Sequence, residues 1–148
     1  MSARKPERIP SIKAVMTPFP WQVQVEDPLV RARELMLSRD IRHLPVTDGD
    51  ALIGVITARD IALVENATPD AAERAALTVR DVSVRDAYVV ELSEPVDHVL
   101  REMAARHIGS ALVVKRGKLA GIFTSTDACR HFAQFLQMFF DPGSDDVA

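Results

Sequence analysis

The sequence predicts a mixed α/β (α+β) fold, two β-α-β-β-α repeats packed sheet against sheet about a pseudo-two-fold axis. Three observations predict it: a gapless internal duplication, a matching order of elements in each copy, and Thr-x-x-Asp signals at the same place in both. Sliding the 148-residue chain against itself by 67 positions aligns residues 12–63 with 79–130 without a gap. Identities fall at Val15/Val82, Val23/Val90, Pro28/Pro95, Met36/Met103, Arg39/Arg106, Ile41/Ile108 and Val46/Val113. They continue at Leu52/Leu119, Gly54/Gly121, Thr57/Thr124 and Asp60/Asp127. A chance match of two apolar-rich halves would need gaps and would not repeat Gly, Thr and Asp at fixed spacing.

Each copy opens on a short strand, Trp21 to Val25 and Tyr88 to Leu92, rich in β-branched and aromatic residues. Glu26-Asp27-Pro28 and Ser93-Glu94-Pro95 come next as helix starts, with proline expected in the first turn. Val96, Val99, Leu100 and Met103 then form one apolar helical face, mirrored by Leu29, Ala32, Leu35 and Met36. Leu44–Thr47 and Leu52–Ile56 read as paired strands around Asp48-Gly49-Asp50. Ala111–Val114 and Leu119–Phe123 are their counterparts. These runs are almost wholly apolar, so burial on both faces and one core shared between the sheets are expected. Thr57-Ala58-Arg59-Asp60 and Thr124-Ser125-Thr126-Asp127 then read as capping boxes opening a second helix, with Asp at the third helical position.

The expected division is a mobile tail at 1–10, repeat one at 11–64, a helical connector at 65–78 and repeat two at 79–132. A C-terminal helix and tail fill 133–148. In the connector, Thr68-Pro69-Asp70 resembles an N-cap, proline and acidic residue ahead of a helix-forming run. Net charge is −3, which gives a nucleic-acid partner no support. The basic N-terminus lacks a signal peptide's apolar stretch, no apolar run reaches the ~20 residues of a membrane span, and the lone Cys129 has no internal disulfide partner. These features favour a cytoplasmic protein without membrane or nucleic-acid contacts.

Val15-Met16-Thr17-Pro18, Ile41-Arg42-His43-Leu44-Pro45-Val46 and two copies of Gly-x-x-Thr-x-x-Asp together resemble the CBS domain family, named for cystathionine β-synthase. The resemblance covers roughly residues 11–132 and implies a tandem pair, a Bateman module. Physical reasoning gives those residues a use. A helix N-terminus attracts phosphate, a Thr hydroxyl adds a donor, and a carboxylate one turn into the helix can accept a ribose cis-diol. The resemblance implies that Asp60 and Asp127 contact ribose while Thr57 and Thr124 lie near phosphate. It also implies that Arg42 and His43 reach toward phosphate, and that Thr17 and its neighbours line an adenine slot. Local spacing alone equally describes a helix cap, and an ordinary strand entry set by Pro18 describes Thr17 as well.

The copies are unequally equipped. Arg42, His43 and Arg59 give the first three potentially cationic groups, opposite Gly109, Ser110 and Thr126 in the second. Its opening, Val82-Ser83-Val84-Arg85-Asp86, also departs from Met16-Thr17-Pro18. His98, His107 and His131 lack the i, i+4 spacing of a zinc pair and are expected mostly in solvent; Cys129 is expected to be a small packed residue. No nucleophile with an adjacent base is visible, so no enzyme and no catalytic cofactor or metal is expected. Phe132, Phe135, Leu136, Phe139 and Phe140 form an apolar stripe on a terminal helix. Packing on its own module is the plainer reading, a dimer or partner interface the sharper one. The expectation is a non-catalytic regulatory module, a homodimer acting on another protein. Its ligand would be AMP, ADP or ATP, followed by S-adenosylmethionine or NAD. The alternative is a ligand-independent interaction or scaffold protein.

Overall fold

In a computed structural model of the chain, residues 7–82 and 86–140 are described. The first half holds β1 (Thr17–Pro18), β2 (Val23–Gln24), α1 (Leu29–Arg39), β3 (His43–Asp48), β4 (Ala51–Thr57) and α2 (Ala58–Asn66). A short connector helix α3 (Ala71–Ala75) leads to β5 (Val89–Glu91), α4 (Val96–Arg106), β6 (Ser110–Lys115), β7 (Lys118–Thr124) and α5 (Ser125–Phe139). One sheet has the order β2-β3-β4 and the other β1-β7-β6-β5.

The duplication reaches into backbone detail. Both helices α1 and α4 end in a left-handed residue, Asp40 at φ 51° and His107 at φ 52°. Both hairpins carry a register shift at the same place, Val46/Thr47 and Val113/Val114. The second hairpin turns through Arg116 and Gly117, both at positive φ, as a two-residue turn matched to strand twist requires.

The repeats exchange their opening segments. A 3-10 turn at Ile12–Ala14 opens the first repeat but docks on the second, where the Ile12 N–H bonds to the Glu94 carbonyl at 2.7 Å. Ile12 is wholly buried beside Val99, Met103 and Phe123. β1 continues onto the second sheet, with Thr17 opposite Ile122 and Pro18 opposite Gly121. The equivalent turn at Val79–Asp81 docks on the first repeat, its Val79 N–H bonding to the Asp27 carbonyl at 2.9 Å. Val79 and Val82 are buried there with Leu29, Leu44 and Val46.

Buried side chains therefore form two clusters, each between one sheet and its own helices, where one shared core was expected. Strand alternation supplies the reason. Ala111 and Val113 of β6 face their helices, whereas Leu112 between them is fully buried on the other face. β4 touches β7 across that face. Burial on both faces holds for Leu44–Thr47 and Ser110–Val114, but Ala51, Ile53 and Lys118 are exposed beside the hairpin turns. Trp21 stands outside β2, half exposed, with the Arg39 guanidinium 4.2 Å above its ring. Pro28 and Pro95 occupy the N-cap position instead of the first turn. In the connector the cap is Asp70, which accepts from the Glu73 N–H at 2.9 Å; the Thr68 hydroxyl bonds back to the Val64 carbonyl and ends α2. Ser83–Arg85 and the terminal stretches 1–6 and 141–148 lie outside the described residues.

Candidate functional site

Between the two repeats lies a cleft of about 520 Å³. Its first wall is the junction of β4 and α2, where the apolar run of β4 stops at Thr57 and Thr57 caps the helix. Both capping boxes form. The Thr57 Oγ1 accepts from the Asp60 N–H at 3.1 Å, and Asp60 Oδ2 accepts from the Thr57 N–H at 3.1 Å. The Ala58 N–H bonds to the Arg42 carbonyl at 2.9 Å, tying the α1–β3 loop to the helix start. Three backbone donors of that turn are thus taken, leaving the Arg59 N–H open among the described residues.

This geometry gathers Arg42, His43, Thr57, Arg59 and Asp60 in the first wall, together with Val55 and Ala58. β-pairing explains His43, since its register sets it opposite Thr57. The facing wall comes from the second repeat: Asp86, Tyr88, His107, Ile108, Gly109 and Ser110. Sequence reasoning did not assign these six to the first repeat's cleft. The signal was the 67-residue offset itself, because Gly109 and Ser110 are the counterparts of Arg42 and His43, and Tyr88 is the counterpart of Trp21. Once the opening segments cross over, the first repeat's cleft is completed by the second repeat's strand entry.

The cleft is less cationic than its sequence suggests. Burial holds the His43 imidazole below its usual pKa; Asp60 pulls the other way and Arg42 adds to the lowering. Burial thus favours the neutral imidazole, and Arg42 and Arg59 are the two guanidiniums of the cleft. Tyr88 is half-buried with the Arg106 guanidinium 5.2 Å from its ring centre, and burial raises its phenol pKa. Val55, Tyr88 and Ile108 give the cleft an apolar flank, while two guanidiniums and one carboxylate stand at the helix start. Such a site can take a flat apolar ring, a diol and an anion together.

Thr17, Thr124, Thr126 and Asp127 do not line this cleft. β1 sets Thr17 beside Ile122, on the strand leading to Thr124, so these four residues belong to the two-fold-related position. There Asp127 Oδ2 accepts from the Thr124 N–H at 2.9 Å and lies 3.0 Å from the Thr124 hydroxyl.

Two packing expectations fail on α5. Cys129 is exposed, and no residue of α5 is buried. Phe132, Phe135 and Phe139 are 61%, 48% and 64% exposed, so the stripe does not pack on its own module. The helix contacts β7, Ala128 packs against the second cluster, and His131 Nε2 lies 3.2 Å from the Val15 carbonyl oxygen. His98, His107 and His131 are exposed, and no cluster that could hold a metal occurs among the described residues. Among those residues, no helix is long and apolar enough to cross a membrane.

Comparisons with known proteins point one way. Inosine-5'-monophosphate dehydrogenase of Thermoplasma acidophilum is 31% identical over 108 residues, 72% of this chain and 20% of that protein. L-aspartate semialdehyde sulfurtransferase of Methanocaldococcus jannaschii is 29% identical over 125 residues, 82% of this chain and 23% of that one. The chain thus spans roughly a fifth of the length of these relatives. Among solved structures, the CBS domain pair of protein MJ0100, in complex with 5'-methylthioadenosine and S-adenosyl-L-methionine, superposes with a TM-score of 0.73 at 28% identity. That match covers 86% of this chain and 99% of the other. The CBS domain model matches residues 12–65 and 79–134, well over half of the sequence and in the two places where it repeats. The chain belongs to the CBS domain family, as a tandem pair.

Proposed function

We propose that this chain is a non-catalytic regulatory module that binds an adenosyl ligand carrying an anionic group in the cleft between its repeats. The carrying observation is that cleft, with the Asp60 carboxylate and the Arg42 and Arg59 guanidiniums on one wall and Tyr88 and Ile108 on the other. The adenosyl class is supported by the ligands of the related MJ0100 pair. Two guanidiniums favour phosphate, so AMP, ADP or ATP ranks ahead of S-adenosylmethionine, whose sulfonium is cationic, and NAD stands behind the nucleotides as well. Because the walls come from different repeats, a bound ligand favours one relative arrangement of the halves. Its effect on a partner protein is bounded by its differential affinity for the two arrangements. The ligand pool implied is that of the cytoplasm.

Thermal unfolding of the full chain against AMP, ADP, ATP, S-adenosylmethionine and NAD tests this. A ligand at about 100 times its Kd adds roughly 2.7 kcal/mol, a Tm rise of about 5–10 °C for a chain of this size. A panel with no shift sinks the adenosyl reading.

A second reading has its own observation. The exposed Phe stripe of α5 is more apolar surface than a solvated terminal helix needs, which supports self-association or docking of a partner through that helix. Homodimerisation is compatible with ligand sensing; a scaffold with no ligand is the rival account.

A further inference from the structure

We infer that each chain holds one ligand, in the Thr57–Asp60 cleft, and that the two-fold-related Thr124–Asp127 position is a helix cap alone. This rests on the adenosyl reading of the cleft and adds a count and an address to it.

The two capping boxes differ in what they leave over. Thr57 Oγ1 accepts from the Asp60 N–H, and no bond from its own proton to Asp60 is formed. Thr124 Oγ1 accepts from the Asp127 N–H at 3.2 Å and also donates to Asp127 Oδ2 at 3.0 Å. Among the described residues, the hydroxyl proton that could meet a phosphate has no acceptor in the first box and is donated to Asp127 in the second. The carboxylates differ in the same sense. Asp60 uses Oδ2 for the cap, so Oδ1 remains for a diol. Asp127 uses Oδ2 twice, and its Oδ1 faces the Arg130 guanidinium at 3.6 Å, with the side chain 13% exposed.

The surroundings reinforce the difference. Arg42 and Arg59 of the first repeat are replaced at the equivalent positions by Gly109 and Thr126. At the next pair of positions, His43 stands opposite in symmetry to the much smaller Ser110. Gly109 lies close against the His43 ring: a Cβ there would be 2.9 Å from His43 Nε2 and 3.7 Å from Ser125 Oγ. Ser125 is the first residue of α5. Both His43 and Ser110 line the first cleft, and glycine at 109 is what leaves room for the imidazole.

Isothermal titration of the full chain with AMP, and separately with S-adenosylmethionine, decides the matter. The expected stoichiometry is one per chain. Asp60→Asn weakens binding about tenfold or more, since a hydrogen bond to a charged group is lost, while Asp127→Asn leaves count and Kd within about twofold. A count of two, or a single site removed by Asp127→Asn instead of Asp60→Asn, overturns the inference and leaves the adenosyl reading standing. No binding of either probe by the wild type removes that reading and the inference with it. If Asp127→Asn fails to fold, the wild-type count still discriminates.

Discussion

Asp60 has two roles in this structure, cap and candidate ribose ligand, and Asp60→Ala with Asp127→Ala as its matched control separates them. In the ligand-free protein the substitution deletes the acceptor of the half-buried Thr57 N–H, bonded at 3.1 Å. Losing such a cap costs about 0.5–2 kcal/mol, and removing a negative charge from the first turn of α2 adds about 0.3–1 kcal/mol. The combined loss of about 1–3 kcal/mol lowers Tm by about 2–12 °C. Asp127→Ala breaks the equivalent box and falls in the same range. Differential scanning calorimetry with and without AMP then supplies the second comparison. The wild type and Asp127→Ala rise by about 5–10 °C at about 100 times the wild-type Kd, and Asp60→Ala rises by about half of that or less. If Asp60→Ala shows the capping loss but keeps the full AMP shift, the carboxylate is only a cap and the ribose assignment is wrong.

Gly121→Ala sets a Cβ against Met16 Sδ and 2.9 Å from the Thr17 carbonyl oxygen. Met16 can move but the β1 backbone cannot, so urea unfolding shows a loss of about 1–3 kcal/mol with the m-value unchanged; an unaltered midpoint would refute the β1–β7 contact. His43 titrates below its usual value of 6.5 in the folded chain, so the unfolded chain takes up the proton first. Its contribution is full above about pH 6.5 and is lost as pH falls from there toward the lower folded pKa. His43→Gln flattens that part of the stability–pH curve, and a curve that keeps its slope contradicts the assignment. Phe135→Glu combined with Phe139→Glu is read by sedimentation velocity: both side chains are exposed in the single chain, so the fold is kept while concentration-dependent association disappears. Association that survives the double substitution places the contact elsewhere.

The duplication, the order of elements and both capping boxes were legible in the sequence because each is local. A run such as Leu44–Thr47 announces a buried strand by composition, and Thr57 announces a helix start through Asp60, three residues further on. Errors cluster where a local pattern has two satisfactory outcomes. Pro28 suits the N-cap as well as the first turn. The Phe stripe of α5 and Cys129 have the composition of packed residues, yet their exposure depends on what lies against the helix in three dimensions, which no local pattern encodes.

The candidate site divides along the same line. Arg42, His43, Thr57, Arg59 and Asp60 could be named from sequence because they fall within two short segments of one repeat. Asp86, Tyr88 and His107 could not, since their membership depends on the crossing of the opening segments. Ile12 and Val79 are equivalent by the 67-residue offset, and either could close either repeat with the same backbone hydrogen bonds. Sequence by itself determined two matching half-sites and their unequal charge. Tertiary structure decided which half faces which, because the choice is made by where the connecting chain can reach. It also lowered the His43 pKa, because the largest cause is burial, which the tertiary packing creates, with Asp60 and the adjacent Arg42 as smaller effects.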